Sequence, residues 1–387
     1  MASITIPVHS AIIDWVLQNI HEEQSASEVM ERLNAWKSGE KTPTLNQLEE
    51  MSRKTHIPFG YFFLQTPPQE NVPLVEYRTV GSAKREKPSR NLIDVLDQMT
   101  AIQDWMRDEL QSDGTNPLPF VGTADIHESI DQTVQKIRLR LHLDVHWYHD
   151  GKTAEENFSN LRERLTRCGV LVFTGGKVGC NTRRRLDINE FRAFTLVDAH
   201  APLIFINTAD APNGRIFSLL HETAHIFFGK NSLFNHAEWS SHTVNLLEQK
   251  CNAVASEILV PEEEFQHIWN PSLPLTEMME AAARHFRCSE AVILRRAYDV
   301  GKITRDEYLR MMSMQKARYQ KMNAKKNRSG GNFYNTLLSN IDRRFLTALH
   351  RSLLRGTTQD TDAYRLTGLN RKTYTTAIAK MGGTQVE

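Results

Sequence analysis

Residues 217–229, FSLLHETAHIFFG, decide how this chain is read, because they hold His221, Glu222 and His225 in the pattern HExxH. On an α-helix, positions four apart share one face about one turn from each other, so both imidazoles can grip a single Zn2+ while Glu222 reaches its bound water. The surrounding residues support a helix. Residues 201–207 (APLIFIN) read as a short buried strand, and 209–214 supply turn residues. A helix then starts near Arg215, takes an apolar face from Ile216, Phe217, Leu219 and Leu220, and stops at Gly229 with Lys230 behind it. The chemistry these residues imply is that of a zinc hydrolase.

A catalytic zinc takes a third protein ligand and keeps one position open for water. Glu248 lies 23 residues beyond His225 (248 − 225) and opens the helical run EQKCNAVASEILVP, with Asn252 one turn later on the same face. This pairing predicts Glu248 on the metal and Asn252 behind a ligand imidazole, fixing its orientation. Two other readings of the segment stay open. Glu248 can be a solvated helix charge, and Glu257 is a rival ligand, although Pro261 ends its helix soon afterwards.

Four blocks, GVLVFTGGKVG (169–179), EFRAFTLVDAHAPLIFIN (190–207), FSLLHETAHIFFG (217–229) and EQKCNAVASEILVP (248–261), together resemble the ImmA/IrrE family, bacterial zinc metallo-endopeptidases that cleave helix-turn-helix repressors. The resemblance implies a gluzincin-like endopeptidase with Zn2+ as cofactor, His221, His225 and Glu248 as ligands, and Glu222 as catalytic acid/base. It also implies a protein substrate, a helix-turn-helix repressor or antitoxin-like partner, in prophage, mobile-element or stress control. These four positions follow the family pattern without departure.

Composition narrows the classes further. A chain of 387 residues holds two or three domains with a proper core. No run approaches the roughly 18 uninterrupted apolar residues of a membrane-spanning helix, and the N-terminus lacks a basic stretch followed by an apolar one, so a cytoplasmic protein without membrane contact is expected. Cys168, Cys180, Cys251 and Cys288 are scattered without paired spacing and read as reduced thiols, Cys251 as a small buried hydrophobe. A net charge of +1 excludes a molecule that binds nucleic acid by its overall charge.

The expected fold class is α+β: a mostly helical chain with a small three-stranded sheet (170–173, 191–197 and 203–206) packed on a zincin-like pair of helices, flanked by helical N- and C-terminal modules. The expected organisation is a helical module at 1–65, a linker rich in Pro, Glu and Lys at 66–90, the peptidase domain at 91–265, a helical hairpin at 266–315, a basic hinge at 316–331 and a C-terminal module at 332–387. In the first, apolar spacing predicts three short helices over 12–20, 29–36 and 45–51. Its later half, AWKSGEKTPTLNQLEEMSRKTHIPFGYFFL (35–64), resembles an Xre-type helix-turn-helix domain, which in this family often precedes the protease. It departs from that pattern in having only 20 residues between Trp15 and Trp36 (36 − 15 − 1), with Glu22, Glu23, Glu28 and Glu31 against Arg32 alone. That balance disfavours phosphate contact, so a degenerate module docking onto a protein, either the substrate or a second copy in a homodimer, is expected rather than DNA binding.

Helical spacing recurs at 91–110, 130–141 and 154–168. Segments 281–300 and 362–378 each have the helix, short turn and helix of a helix-turn-helix shape; each could meet DNA, and the structural hairpin is the commoner meaning of that shape. His267 and His285 read as ordinary surface histidines. Arg183, Arg184 and Arg185 either bind an acidic substrate segment or solvate a loop. The strand at 191–197 is expected to present an edge for an extended substrate, with Phe191, Arg192 and Phe194 as substrate-binding residues. His236, His242 and Arg192 are candidates for stabilising the oxyanion. Two function classes follow: a zinc endopeptidase acting on a regulatory protein, or a DNA-binding regulator or toxin–antitoxin component with a vestigial peptidase site.

Overall fold

The structure, a computed structural model, describes residues 4–20, 27–68, 88–234, 246–323 and 332–381, with the side chains of 234 and 316–323 excepted. It divides into two compact units, Met1–Glu76 with Lys84–Leu96, and Tyr77–Ala83 with Asp97–Glu387. Residues 69–87 of the expected linker and 324–331, half of the expected basic hinge, lie outside the described residues.

The first unit holds the three helices that apolar spacing predicts, α1 (Ser10–Asn19), α2 (Ser27–Lys37) and α3 (Leu45–Thr55), followed by a 3-10 turn at Phe59–Phe63. Ile12, Ile13, Val16, Leu33, Trp36, Leu48 and Phe62 form its core. Thr44 starts α3 in a capping box with Gln47. Three of the four basic residues of α2 and α3 are tied up locally: Arg32 pairs with Glu28 and Glu50, Lys54 with Glu50, and Lys37 with Asp14. α4 (Arg90–Ser112) begins in this unit and continues into the second.

In the second unit, α5 (Ile130–Leu141) and α6 (Ala154–Arg167) lead to β1 (Leu171–Gly175), β2 (Ala193–Leu196) and β3 (Leu203–Asn207). α7 (Pro212–Phe228) and a fourth strand, β4 (Ser232–Phe234), come next. The sheet runs β1-β3-β2-β4, with β1 parallel to β3 and the other pairings antiparallel. The α+β class is as expected; the sheet has four strands rather than three, because β4 is too short to show a period in sequence. Every residue of β1, β2 and β3 is buried, which requires cover on both faces. Alternation divides them. Val172, Ala193, Ile204 and Ile206 join the core that includes α7. On the other face Phe194 stacks on Phe205, with ring centroids 5.1 Å apart, and Phe173 meets Phe345.

α7 starts three residues before Arg215 because Pro212, with φ preset for a helix, occupies its first turn. It ends where expected. Gly229 at φ +66° returns its amide to His225 O and Ile226 O, while the Gly122 and Ala124 amides take the carbonyls of Ile226 and Phe227 at 3.0 and 2.8 Å. The approach leaves no room for a side chain: a Cβ at Gly229 would lie 3.0 Å from Gly122 Cα.

Beyond β4 come α8 (Leu246–Leu259), α9 (Glu262–Ile268), α10 (Leu275–His285), α11 (Glu290–Asp299) and α12 (Arg305–Asn323). α10 and α11 form the expected hairpin, but Met279, Phe286, Val292 and Leu294 share one core with Leu220, Val254 and Ile258 of α7 and α8. The boundary expected at 265/266 therefore falls inside a single packed core. The chain closes with α13 (Phe333–Asn340), α14 (Arg343–Arg355), α15 (Asp360–Thr367) and α16 (Arg371–Lys380). Asp342 caps α14 through Phe345 N and also accepts the Val172 amide of β1 and the Thr166 hydroxyl, each at 3.0 Å. Among the described residues no helix is long and apolar enough to cross a membrane.

Candidate metal centre

α7 and α8 pack against each other, and their facing sides carry the HExxH residues and Glu248. Four residues apart on α7, His221 and His225 bring their Nε2 atoms to 3.1 Å, and Glu248 meets them with Oε2 and Oε1, 3.2 Å from each. His221, Glu222 and His225 are fully buried, and the Glu248 side chain is 22 % exposed. A tetrahedral ion with Zn–N bonds of about 2.05 Å separates its ligand atoms by roughly 3.3 Å, so the spacing of this donor set fits zinc. Burial alone would raise the Glu248 carboxyl, but the two imidazoles outweigh it and hold it well below the usual carboxylate range.

Glu222 faces the same space from one turn of α7, and its carboxylate is gripped from the sheet. Thr195 of β2 donates to Oε2 at 2.5 Å, and Ser232 of β4 donates to the same oxygen. Oε1 has no hydrogen-bond partner among the described residues. Thr195 is on this side because it alternates with Phe194. Neither hydroxyl belongs to a motif; a threonine within an otherwise apolar strand, AFTL, is the available signal for Thr195, and Ser232 has none.

Other expected site residues fall elsewhere. Asn252 sits one turn after Glu248, yet its buried Oδ1 has no partner among the described residues, so it does not orient an imidazole through that atom. Phe191 and Phe194 are fully buried in the aromatic cluster, with Phe194 on the face away from α7, and are not placed to touch a substrate. Arg192 pairs with buried Asp210 at 2.5 Å, bracing the turn before α7. β2 is bordered by β3 and β4, so it offers no free edge. The oxyanion candidates His236 and His242 lie outside the described residues. Glu257, the rival ligand, pairs with Arg296 instead. Cys251 is buried, but its thiol meets the His225 imidazole, so it is more than the small hydrophobe expected; all four cysteines are free.

His285 is not an ordinary surface histidine. Its Nε2 lies 2.6 Å from Glu264 Oε1, and His149 joins them in a second group of potential metal donors.

Residues 177–298 match the model of the IrrE N-terminal-like domain, Peptidase_M78, and residues 341–380 match a domain of unknown function, DUF8813. The segment that supplies all four residues of the centre thus carries a peptidase-family domain of the ImmA/IrrE type. No curated protein matches the chain.

Proposed function

We propose that this chain is a zinc-dependent endopeptidase of gluzincin type that cleaves a regulatory protein. The observation carrying this reading is the convergence of His221, His225 and Glu248 around one point, with Glu222 beside it. In this reading the two imidazoles and Glu248 hold the metal. Zinc held there supplies Lewis acidity toward a water and a scissile carbonyl. Glu222 takes the proton from the water and passes it to the departing amine, its carboxylate kept in one orientation by Thr195 and Ser232. No covalent enzyme intermediate is required.

The substrate class proposed is a helix-turn-helix repressor or antitoxin-like protein, in prophage, mobile-element or stress control in the cytoplasm. The first unit fits a protein-docking module, an Xre-like fold turned from DNA, better than an operator reader. Support comes from its charge pattern: Arg32, Lys37 and Lys54 are already paired with carboxylates and would need to exchange them for phosphates.

The test is to add the zinc-loaded full chain, or its Glu222→Gln variant, to soluble protein of the source cells and compare the new N-termini by mass spectrometry. Cleavage sites made by the wild type and missing with Glu222→Gln support the proposal; identical sets of N-termini overturn it.

A further inference from the structure

The second donor group is built from three separate elements. His149 ends a 3-10 turn at Trp147–His149, Glu264 lies in α9 and His285 ends α10. One donor atom from each lies within 4.8 Å of the other two. Their positions are fixed by packing on the common core: Trp147 Nε1 donates to Ile258 O near the end of α8, and Tyr148 packs fully buried against Phe286. Glu264 is the hub. His285 holds its Oε1, while the Tyr148 hydroxyl and, at 3.4 Å, His146 Nε2 hold its Oε2.

We propose that His149, Glu264 and His285 form a second divalent metal site, distinct from the HExxH centre and selective for borderline transition metals such as Zn2+. Two imidazoles and one carboxylate suit these ions, whereas Mg2+ and Ca2+ demand more oxygen. Tyr148 and His146 fix the carboxylate from behind, as partners outside the coordination sphere do in metal sites. His149 is exposed, so it has freedom to rotate and draw the three donors together, and the ion has a route from solvent. An ion here cross-links the 3-10 turn, α9 and α10.

The experiment is a Zn2+ titration of the metal-free full chain against a chromogenic chelator. The wild type takes up one equivalent more than a His149→Ala/His285→Ala variant, and a His221→Ala/His225→Ala variant keeps that additional equivalent. If the double variant folds poorly by circular dichroism, the single His149→Ala variant at the exposed position replaces it, and its additional equivalent binds at least tenfold more weakly. Uptake and affinity unchanged by these substitutions at the cluster would overturn the proposal.

Discussion

Thr195 donates to Glu222 Oε2 from the strand position immediately after Phe194, so neighbouring residues of β2 serve opposite faces of the sheet. A hydrogen bond to a charged group contributes about 1.5–3 kcal/mol, equivalent to roughly ten- to hundredfold in rate when the carboxylate must be held for proton transfer. Thr195→Val should lower kcat by that factor on a protein cleaved by the wild type, with zinc content unchanged and Thr195→Ser restoring most of the rate. A full kcat in Thr195→Val would show that Glu222 needs no such hold.

Metal removal should be reversible and local. His221→Ala/His225→Ala should lose one zinc equivalent relative to wild type, while Glu222→Gln should retain it and lose cleavage. Zinc at 1,000 times its Kd stabilises a folded site by about 4 kcal/mol, so Tm should fall with chelator and return with zinc. Differential scanning calorimetry with and without added Zn2+ reads this directly.

Phe194 provides the test of the corrected substrate assignment. Phe194→Ala should cost about 3–5 kcal/mol of stability through loss of its stack on Phe205. The milder Phe194→Leu should leave KM unchanged. A raised KM with an unchanged urea midpoint would restore Phe194 to the substrate-binding surface.

The sequence was legible where the pattern was local. HExxH, the Gly229 stop and the spacing to Glu248 all sit within two neighbouring helices, and helical periodicity carries such information over a few turns. It failed where topology decides. Nothing in residues 191–197 says that β4 will occupy the outer side of β2, so an internal strand was expected to be an edge. His149, Glu264 and His285 span 136 positions (285 − 149) and meet only after α9 and α10 fold back on the 3-10 turn.

Low pH should weaken the contact between α5 and the loop before it. Burial pushes the Glu128 carboxyl up, but the Lys136 ammonium at 2.5 Å and the Thr133 hydroxyl outweigh it and hold it below its ordinary value. A depressed folded-state pKa stabilises the fold above the unfolded pKa, about 4.3, and that contribution is lost as pH falls through the folded value. Glu128→Gln should therefore lower stability by about 1 kcal/mol at pH 7, with the gap to wild type closing below pH 4 in urea titrations.

Asp342 is buried and serves Phe345 N, Val172 N and the Thr166 hydroxyl together. Asp342→Ala removes a helix cap and strands the β1 amide, a combined cost of about 3 kcal/mol. Urea denaturation should register that loss, and Asp342→Asn, which keeps an acceptor oxygen, should recover part of it.

The parallel pairing of β1 with β3 bears on where this protein can be cut. The matched peptidase segment begins at residue 177, just after β1 ends at Gly175. A fragment trimmed to 177–298 would keep every residue of the HExxH centre and lose β1, one of the two partners of β3, baring the amides and carbonyls on that side of LIFIN, a buried and largely apolar strand. An open apolar edge of that kind recruits other copies, and the loss of α5 and α6 uncovers α8 and α7 as well, so the fragment would aggregate although it keeps the residues of the centre, and a soluble form must reach back through β1 to α5.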